Sequence, residues 1–310
     1  MPKILLAFLG WVGGAKRGDH QALRDTWLKD ITPEQNIDYR FFIGDGSPVD
    51  PDEDQKINAG FQSWANTNRG NTGHAGTMTK LGMSFPVQGY VPQDDEVLVP
   101  CPDGYHYMSY KRKESLRWAL ERGYDYIFCL SNDVYVRPER LVASDFQKYD
   151  YHGMMCGNIG FKGQDNFLPE SYVFGGGYWL SAKAAQIIVD TKVTYWCEDW
   201  WVGLALAPAV RRGEISRNDA PINTSRYAIA PRVPTPNNNI ISAEMSAGNY
   251  DKARMYACHR PFSNAPSPNI PEKEPLNASV QMPSVSAAGT YRYDRTGLVV
   301  DWWDLHPEGK

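Results

Sequence analysis

Residues 123–138 read GYDYIFCLSNDVYVRP, an apolar run that becomes polar in its middle and then apolar again. The apolar residues 126–130 stand between polar neighbours, a pattern that predicts a buried strand. Ser131, Asn132 and Asp133 follow this strand directly. In open α/β sheets, ligands bind beyond the carboxyl ends of the strands. An acidic residue there can hold a divalent cation against a phosphate. The alternative is an Asx turn between two strands.

The residues before this run alternate between strand and helix patterns. Residues 3–10 predict a first strand that ends in a glycine-rich turn at residues 10–14. Asp19 suits the N-cap of a helix over residues 20–30. Residues 39–43 predict a second strand. A strand, a helix and a strand in this order indicate a parallel sheet.

The next segment, residues 47–93, has no clear periodicity, and we expect a surface insertion or lid there. Its glycine-rich residues 69–77 lack the Lys-Ser/Thr pair of a phosphate-binding loop. Regular patterns resume with a strand predicted over residues 96–100 and a helix predicted over residues 106–122. The predicted helix over residues 106–122 leads into the run at residues 123–138.

Beyond this run, a triple glycine at residues 175–177 ends an aromatic segment, and Ser181 suits the N-cap of a helix over residues 182–189. Glu198 and Asp199 then precede an apolar helix. Their carboxylates could favour the positive end of that helix, or one of them could act as a general base. The pattern after Ala209 is irregular.

Composition restricts the class of protein. A 42% hydrophobic and 22% charged content is typical of a globular protein, and a net charge of −4 gives no general footprint for nucleic-acid binding. No apolar run reaches transmembrane length. The five cysteines are widely spaced and form no CxxC pattern, so we expect reduced thiols rather than a disulfide framework or a zinc site.

Six blocks of the chain resemble, in order, the sequence blocks of glycosyltransferase family 31, the β-1,3-galactosyltransferase and Fringe-like family. The match covers roughly residues 1–206, and six ordered blocks are far more specific than any one of them. The blocks are residues 20–27 (HQALRDTW), 40–44 (RFFIG), 103–111 (DGYHYMSYK), 131–136 (SNDVYV), 175–181 (GGGYWLS) and 198–203 (EDWWVG).

The resemblance implies an α/β fold of the GT-A (Rossmann-like) type, with a mostly parallel central sheet flanked by helices. It implies a nucleotide-sugar transferase core at residues 1–235, with the insertion at residues 47–93. Residues 236–310 would be a C-terminal extension that wraps the core. The implied reaction is metal-dependent transfer of a sugar, with inversion, from a UDP-sugar to the hydroxyl of a glycan or glycoside. Mn²⁺ or Mg²⁺ would be the cofactor.

The resemblance also assigns roles on the donor side. Asp133 takes the metal-contacting position, and Ser131 and Asn132 replace two acids of the family motif and would contact the ribose or a metal-bound water. This loss of two carboxylates weakens the expectation of a strict metal requirement. His259 is a candidate second metal ligand, or alternatively a surface imidazole.

The remaining implied roles concern catalysis and the nucleotide. Asp199 is the expected catalytic base, with Glu198 beside it as either a second catalytic acid or a helix cap. Arg24 would bind the nucleotide side or form a structural salt bridge, and Lys111 would pair with phosphate or with an internal acid. The glycines Gly175, Gly176 and Gly177 would let the backbone lie against the donor sugar or form a tight turn.

Two other functions fit the same residues. Basic clusters at residues 111–113 and 211–212 and the lack of a secretion signal suggest a phage-type enzyme that glycosylates a hydroxymethylated DNA base. Loss of two acids beside Asp133 would suit a catalytically inactive sugar-binding module. Because no signal or anchor is present, we expect a cytoplasmic protein, either bacterial or viral in a host cytoplasm.

Overall fold

The structure of the protein, a computed structural model, describes residues 1–67, 87–144, 146–156, 172–218, 242–244, 252–259, 262, 290–292 and 299–301. The described strands are β1 (Ile4–Leu9), β2 (Ile37–Gly44), β3 (Glu96–Val99), β4 (Tyr126–Ser131), β5 (Val134–Val136), β6 (Tyr151–Cys156), β7 (Tyr172–Ser181), β8 (Ser242–Glu244), β9 (Thr290–Arg292) and β10 (Val299–Asp301). The described α-helices are α1 (Val12–Arg17), α2 (Asp19–Asp25), α3 (Pro51–Thr67), α4 (Met108–Glu121), α5 (Pro138–Val142), α6 (Ala182–Asp190), α7 (Glu198–Arg211) and α8 (Lys252–His259).

A six-stranded sheet forms the centre of the molecule, with strand order β3-β2-β1-β4-β7-β6. The pairs β3–β2, β2–β1 and β1–β4 are parallel, whereas β4–β7 and β7–β6 are antiparallel. This confirms the predicted α/β fold with a mostly parallel central sheet. Two further pairs, β5–β8 and β9–β10, are antiparallel and lie outside this sheet.

Both faces of the central sheet are buried, and β1 shows why. Its alternate residues enter two different apolar clusters: Leu5 and Ala7 pack with residues of α4, α6 and α7, and Ile4, Leu6 and Phe8 pack with residues of α2 and α8. A strand that is covered on both sides has a continuous apolar sequence instead of an alternating one. Helices therefore flank the sheet on its two sides.

Most of the predicted elements are present close to their expected bounds. The strands β1, β2, β3, β4 and β5 and the helices α4, α6 and α7 all match runs identified in the sequence. Ser181 is the N-cap of α6, and its hydroxyl accepts a hydrogen bond from the backbone N–H of Ala184 at 3.2 Å. Gly123 has φ of 68° after α4, a conformation that favours glycine.

Two predictions at the amino-terminal end were wrong. The expected turn at residues 10–14 contains the start of α1, whose Val12 N–H donates to the Asp103 carboxylate at 2.8 Å. The N-cap of the next helix is Gly18, not Asp19. The helix also ends at Asp25, earlier than predicted; the Thr26 hydroxyl donates to the Ala22 carbonyl at 2.6 Å, and a 3₁₀ turn follows.

The segment at residues 47–93 is more regular than predicted, since residues 51–67 form helix α3. Asp50 starts it: its carboxylate accepts hydrogen bonds from the backbone N–H groups of Asp52 and Glu53. The glycine-rich residues 69–77 lie outside the described residues. Farther along the chain, strand β6 begins at Tyr151.

The described part of the C-terminal extension contacts the core. Strand β8 pairs with β5, and α8 contacts α2. Met255 and Cys258 of α8 are buried in the same apolar cluster as Ile4. This contact brings His259, the last residue of α8, against β5.

Candidate functional site

The carboxyl ends of β1 and β4 lie side by side, because the two strands are parallel neighbours with Leu9 opposite Ser131. The chain leaves β1 into α1 and leaves β4 into the turn that contains Asn132 and Asp133. Ser131, Asn132 and Asp133 are all partly exposed, although Oδ1 of Asp133 is buried. This edge is the expected location of a ligand site in an open α/β sheet.

A glycine lets α1 approach this turn closely. A Cβ atom on Gly14 would lie 2.8 Å from the Asn132 amide nitrogen and 2.6 Å from the Trp11 indole nitrogen. Both distances are shorter than real Cβ contacts allow, so only glycine fits without a shift. The first turn of α1, Trp11 and Asn132 therefore form one continuous surface.

Lys111 is buried next to this surface and bonded to other residues, so it is not a free cation at the edge of the sheet. Its ammonium group donates to the Asp103 carboxylate at 2.8 Å and to the Gly10 carbonyl at 2.9 Å, and the side chain is buried. Asp103 also accepts from the N–H groups of Val12 and Gly44. Lys111 was predicted to pair with a phosphate or with an internal acid, and the structure shows the internal acid, Asp103.

Arg24 likewise forms an internal ion pair. Its guanidinium group donates to both oxygens of Asp95, at 2.8 and 2.6 Å, and to Glu96 at 3.2 Å. His20, on the same helix, is also hydrogen-bonded to Glu96. Of the two predicted roles of Arg24, nucleotide binding and a structural salt bridge, the structure shows the salt bridge. None of these contacts assigns Arg24 to a nucleotide.

Arg112, next in the chain after Lys111, connects three elements of the core. Its guanidinium group donates to the carbonyls of Ala7 in β1, at 2.8 Å, and Leu130 in β4, at 3.3 Å. The same group donates to the Glu198 carboxylate, which also accepts from the Tyr178 hydroxyl. Glu198 is buried and holds the first turn of α7 beside the ends of β1 and β4, so the contacts assign it a structural role.

Asp199, the next residue, is held in one orientation but stays partly exposed. Its Oδ1 accepts from the Trp200 N–H at 2.9 Å and from the Cys197 thiol at 3.0 Å, and its Oδ2 accepts from the Gly175 N–H at 3.2 Å. Burial, followed by the negative charge of Glu198, raises the pKa of Asp199 to about 7. A carboxylate with such a pKa can exchange a proton near neutral pH.

The triple glycine of β7 lies at the same edge of the sheet. Cys129 of β4 pairs with Tyr178 of β7 in antiparallel register, so β7 residues before Tyr178 lie toward the carboxyl end of β4. Gly175 contacts Asp199 there. A Cβ on Gly176 would lie 2.5 Å from the Phe174 ring, and Gly177 has φ of 129°, so these two positions favour glycine.

His259 is a buried imidazole and not a surface residue. Its Nδ1 is hydrogen-bonded to the Tyr135 hydroxyl at 3.0 Å and lies 3.8 Å from the Asp30 carboxylate. Its Nε2 is buried and has no hydrogen-bond partner among the described residues. Burial lowers the pKa of His259, which favours the neutral form that binds metals.

These contacts bear on whether Asp133 and His259 suit a divalent cation. Asp133 directly precedes β5, and His259 bonds to Tyr135 in the middle of β5. A carboxylate oxygen and an imidazole nitrogen with a hydrogen-bonded second ring nitrogen form a donor set that Mn²⁺ accepts. Within the described ranges, no three or more His, Cys, Asp or Glu side chains form a potential metal cluster. Asp133 and His259 thus supply two ligand types that suit such a cation, and a shared site between them is part of the proposal below.

The roles of three residues of this region were not predicted from the sequence. Arg112 and Asp103 organise the edge of the sheet, and Cys197 contacts Asp199. The available signals were the position of Asp103 at the start of the block at residues 103–111 and the position of Cys197 two residues before the expected base. Arg112 was interpreted as part of a basic surface cluster, although it and Lys111 are both buried.

No protein-family model matches the chain, and no curated protein matches it significantly in sequence. Every helix in the described part of the chain is either too short or too polar to cross a lipid bilayer. The site must therefore be interpreted from its own geometry.

Proposed function

We propose that the protein is an inverting glycosyltransferase that moves a sugar from a UDP-sugar to an acceptor hydroxyl. The observation that supports it most is Asp199: a partly exposed carboxylate with a pKa near 7, fixed by three hydrogen bonds at the edge where β1 and β4 end. This is the combination that a general base for a hydroxyl group requires.

Asp199 acts on the acceptor. In its ionised form it accepts the proton of the acceptor hydroxyl while that oxygen forms a bond to the anomeric carbon. The bond from the anomeric carbon to the diphosphate breaks, and its electron pair leaves with the diphosphate. The hydrogen bonds to Asp199 keep the carboxylate oriented before the acceptor arrives, which lowers the entropic cost of the step.

The donor lies along the ends of β1 and β4. Ser131 and Asn132 are partly exposed there and offer hydrogen-bonding groups to the ribose. Asp133 and His259 are the residues that would hold Mn²⁺ or Mg²⁺. When bound, such a cation supplies Lewis-acid stabilisation of charge on the diphosphate. Gly175 and its neighbours leave room for the donor sugar beside Asp199.

The alternative function, glycosylation of a DNA base, loses part of the support that the basic clusters gave it. Of the basic residues 111–113, Lys111 and Arg112 are buried in ion pairs, and Lys113 donates to the Thr191 carbonyl. Arg212 pairs with Glu214. Since residues 111–113 do not form an exposed cationic patch, a glycan or glycoside acceptor is the better proposal.

Release of UDP tests the proposed function. The wild-type protein is incubated with UDP-glucose, UDP-galactose, UDP-N-acetylglucosamine and UDP-xylose, with Mn²⁺ or Mg²⁺, and UDP is measured with and without a panel of simple glycosides. We expect release from at least one donor, and its loss in Asp199→Asn. Asp190→Asn, whose side chain bonds only to Gln186 in the described contacts, is the matched control. If no donor releases UDP while one of them binds, the protein is a sugar-nucleotide-binding module without transferase activity.

A further inference from the structure

The residue that precedes α7 makes an unusual contact. Cys197 occupies the N-cap position, where a side chain commonly accepts a hydrogen bond from the backbone of the first turn. Its side chain makes no such bond, and its thiol instead donates to Oδ1 of Asp199 at 3.0 Å. Cys197 as a residue is partly exposed, whereas Cys101, Cys129 and Cys258 are buried.

The three groups that donate to Asp199 differ in kind. The N–H groups of Trp200 and Gly175 belong to the backbone, so substitution does not remove them. Cys197 provides the only side-chain donor among these three bonds. Two donors, Cys197 and Trp200, meet at Oδ1, and one, Gly175, meets Oδ2. Because each carboxylate oxygen accepts about two hydrogen bonds, Oδ2 keeps the capacity for an acceptor hydroxyl.

We propose that Cys197 is a positioning residue for Asp199: its thiol holds Oδ1 so that Oδ2 faces the acceptor hydroxyl. This inference rests on the proposed function, because it assigns Asp199 the role of base.

The charges around the Asp199 carboxylate determine how removal of the Cys197 thiol would change the pKa of Asp199. Glu198 is the charged neighbour of Asp199 on the same helix. Its negative charge is offset by Arg112 from α4, and its carboxylate also accepts a hydrogen bond from the hydroxyl of Tyr178 in β7. Burial and Glu198 raise the pKa of Asp199, whereas the hydrogen bonds from Cys197, Trp200 and Gly175 lower it. Loss of the thiol therefore raises this pKa further and leaves less of the base ionised at pH 7.

The first experiment measures the pH dependence of kcat/KM for Cys197→Ala and Cys197→Ser, with whichever donor the wild-type protein uses. The acidic limb should move up by about one pH unit in Cys197→Ala, as expected when a hydrogen bond to a charged group is lost. Cys197→Ser keeps a donor and should stay near the wild-type profile. Cys101→Ala, which removes a buried thiol elsewhere, serves as the control for thiol loss in general.

The second experiment needs no turnover. Burial, followed by the charge of Asp199, raises the pKa of the Cys197 thiol. In Asp199→Asn this charge is gone, so iodoacetamide should alkylate Cys197 faster at pH 8, by about tenfold for each unit by which the thiol pKa falls. Peptide mapping by mass spectrometry separates Cys197 from the other cysteines.

The outcomes separate this inference from the proposed function. An active wild-type protein whose acidic limb is the same in Cys197→Ala overturns the positioning role alone. An unchanged alkylation rate in Asp199→Asn also overturns it, since the thiol and the carboxylate would then not interact. A wild-type protein without any UDP release overturns the proposed function, and the positioning role with it.

Discussion

Arg112 and Glu198 form a buried ion pair that connects the middle of α4 to the first turn of α7. The same guanidinium group binds the carbonyls of Ala7 and Leu130, which lie near the ends of the two central strands. This one side chain therefore fixes where α7 begins relative to β1 and β4. Asp199, the next residue after Glu198, is placed at the edge of the sheet by that contact.

Glu198→Gln should destabilise the protein strongly. The substitution leaves the Arg112 guanidinium buried without a neutralising charge, and breaking one side of a buried ion pair costs about 3 kcal/mol or more. Urea unfolding at pH 7 measures the loss. Glu214→Gln removes a carboxylate from the exposed pair with Arg212 and is the matched control. Equal stability of the two variants would show that the Arg112 pair does not hold α7 in place.

The pH profile of turnover should have an acidic limb centred near the Asp199 pKa, at about 7. The base must be ionised, so kcat/KM falls about tenfold for each pH unit below that value. Asp199→Asn should lower kcat by about 10² to 10⁴ and remove this limb. UDP affinity, measured by calorimetry, should stay unchanged because the base contacts the acceptor and not the nucleotide.

Loss of UDP affinity in Asp199→Asn would instead assign Asp199 to the donor. Asp190→Asn is again the matched control, and its profile should follow the wild type. A limb that stays near pH 7 in Asp199→Asn would mean that a group other than Asp199 titrates in this range.

The central sheet could be predicted because its strands are short apolar runs bounded by polar residues, as at residues 126–130. The start of α6 followed from the capping preference of Ser181. Helix α1 could not be predicted in the same way. Its glycines indicate a turn by their conformational preference, whereas Gly14 is there because no larger residue fits beside Trp11 and Asn132.

The candidate site was harder to predict than the fold, since its geometry depends on contacts between residues far apart in sequence. Arg112 and Glu198 are 86 residues apart, and no local pattern relates them. Lys111 and Asp103 are eight residues apart, but a charged pair at that spacing does not reveal that both side chains are buried. Asp133 and Asp199 were identified as candidates from short motifs in the sequence.

Asp133→Ala should weaken UDP binding only when a divalent cation is present. If the carboxylate is one of two protein ligands for the cation, UDP affinity in Mn²⁺ falls by about tenfold or more. His259→Asn should give a similar loss, because its buried Nε2 is the second candidate donor. Calorimetric titration with UDP, in Mn²⁺ and in excess EDTA, measures both effects.

In EDTA the wild type and both variants should bind UDP equally weakly, since the cation is then absent from all three. A variant that keeps the full Mn²⁺-dependent gain would show that the cation is held elsewhere. Tyr135→Phe is a useful intermediate control: it keeps the ring but removes the hydrogen bond that orients His259, so it should lose less affinity than His259→Asn.

Glu96 should make the stability of the protein sensitive to acid. Burial alone would raise the pKa of this carboxyl group, but hydrogen bonds from His20, Tyr90 and the Gln93 N–H lower it to about 2. A depressed pKa stabilises the folded state above the ordinary value of about 4.5, and that stabilisation is lost as the pH falls toward 2. In Glu96→Gln the free energy of unfolding should drop by about 3 kcal/mol at pH 7.

The difference between Glu96→Gln and the wild type should narrow to about half at pH 3, because much of the pH-dependent stabilisation is then gone from the wild type as well. Urea unfolding at several pH values between 7 and 2.5 gives this difference directly. Glu121→Gln, in an exposed pair with Arg122, should show no measurable effect at any pH. A constant difference between Glu96→Gln and the wild type would mean that Glu96 stabilises the fold through packing or neutral hydrogen bonds rather than through its charge.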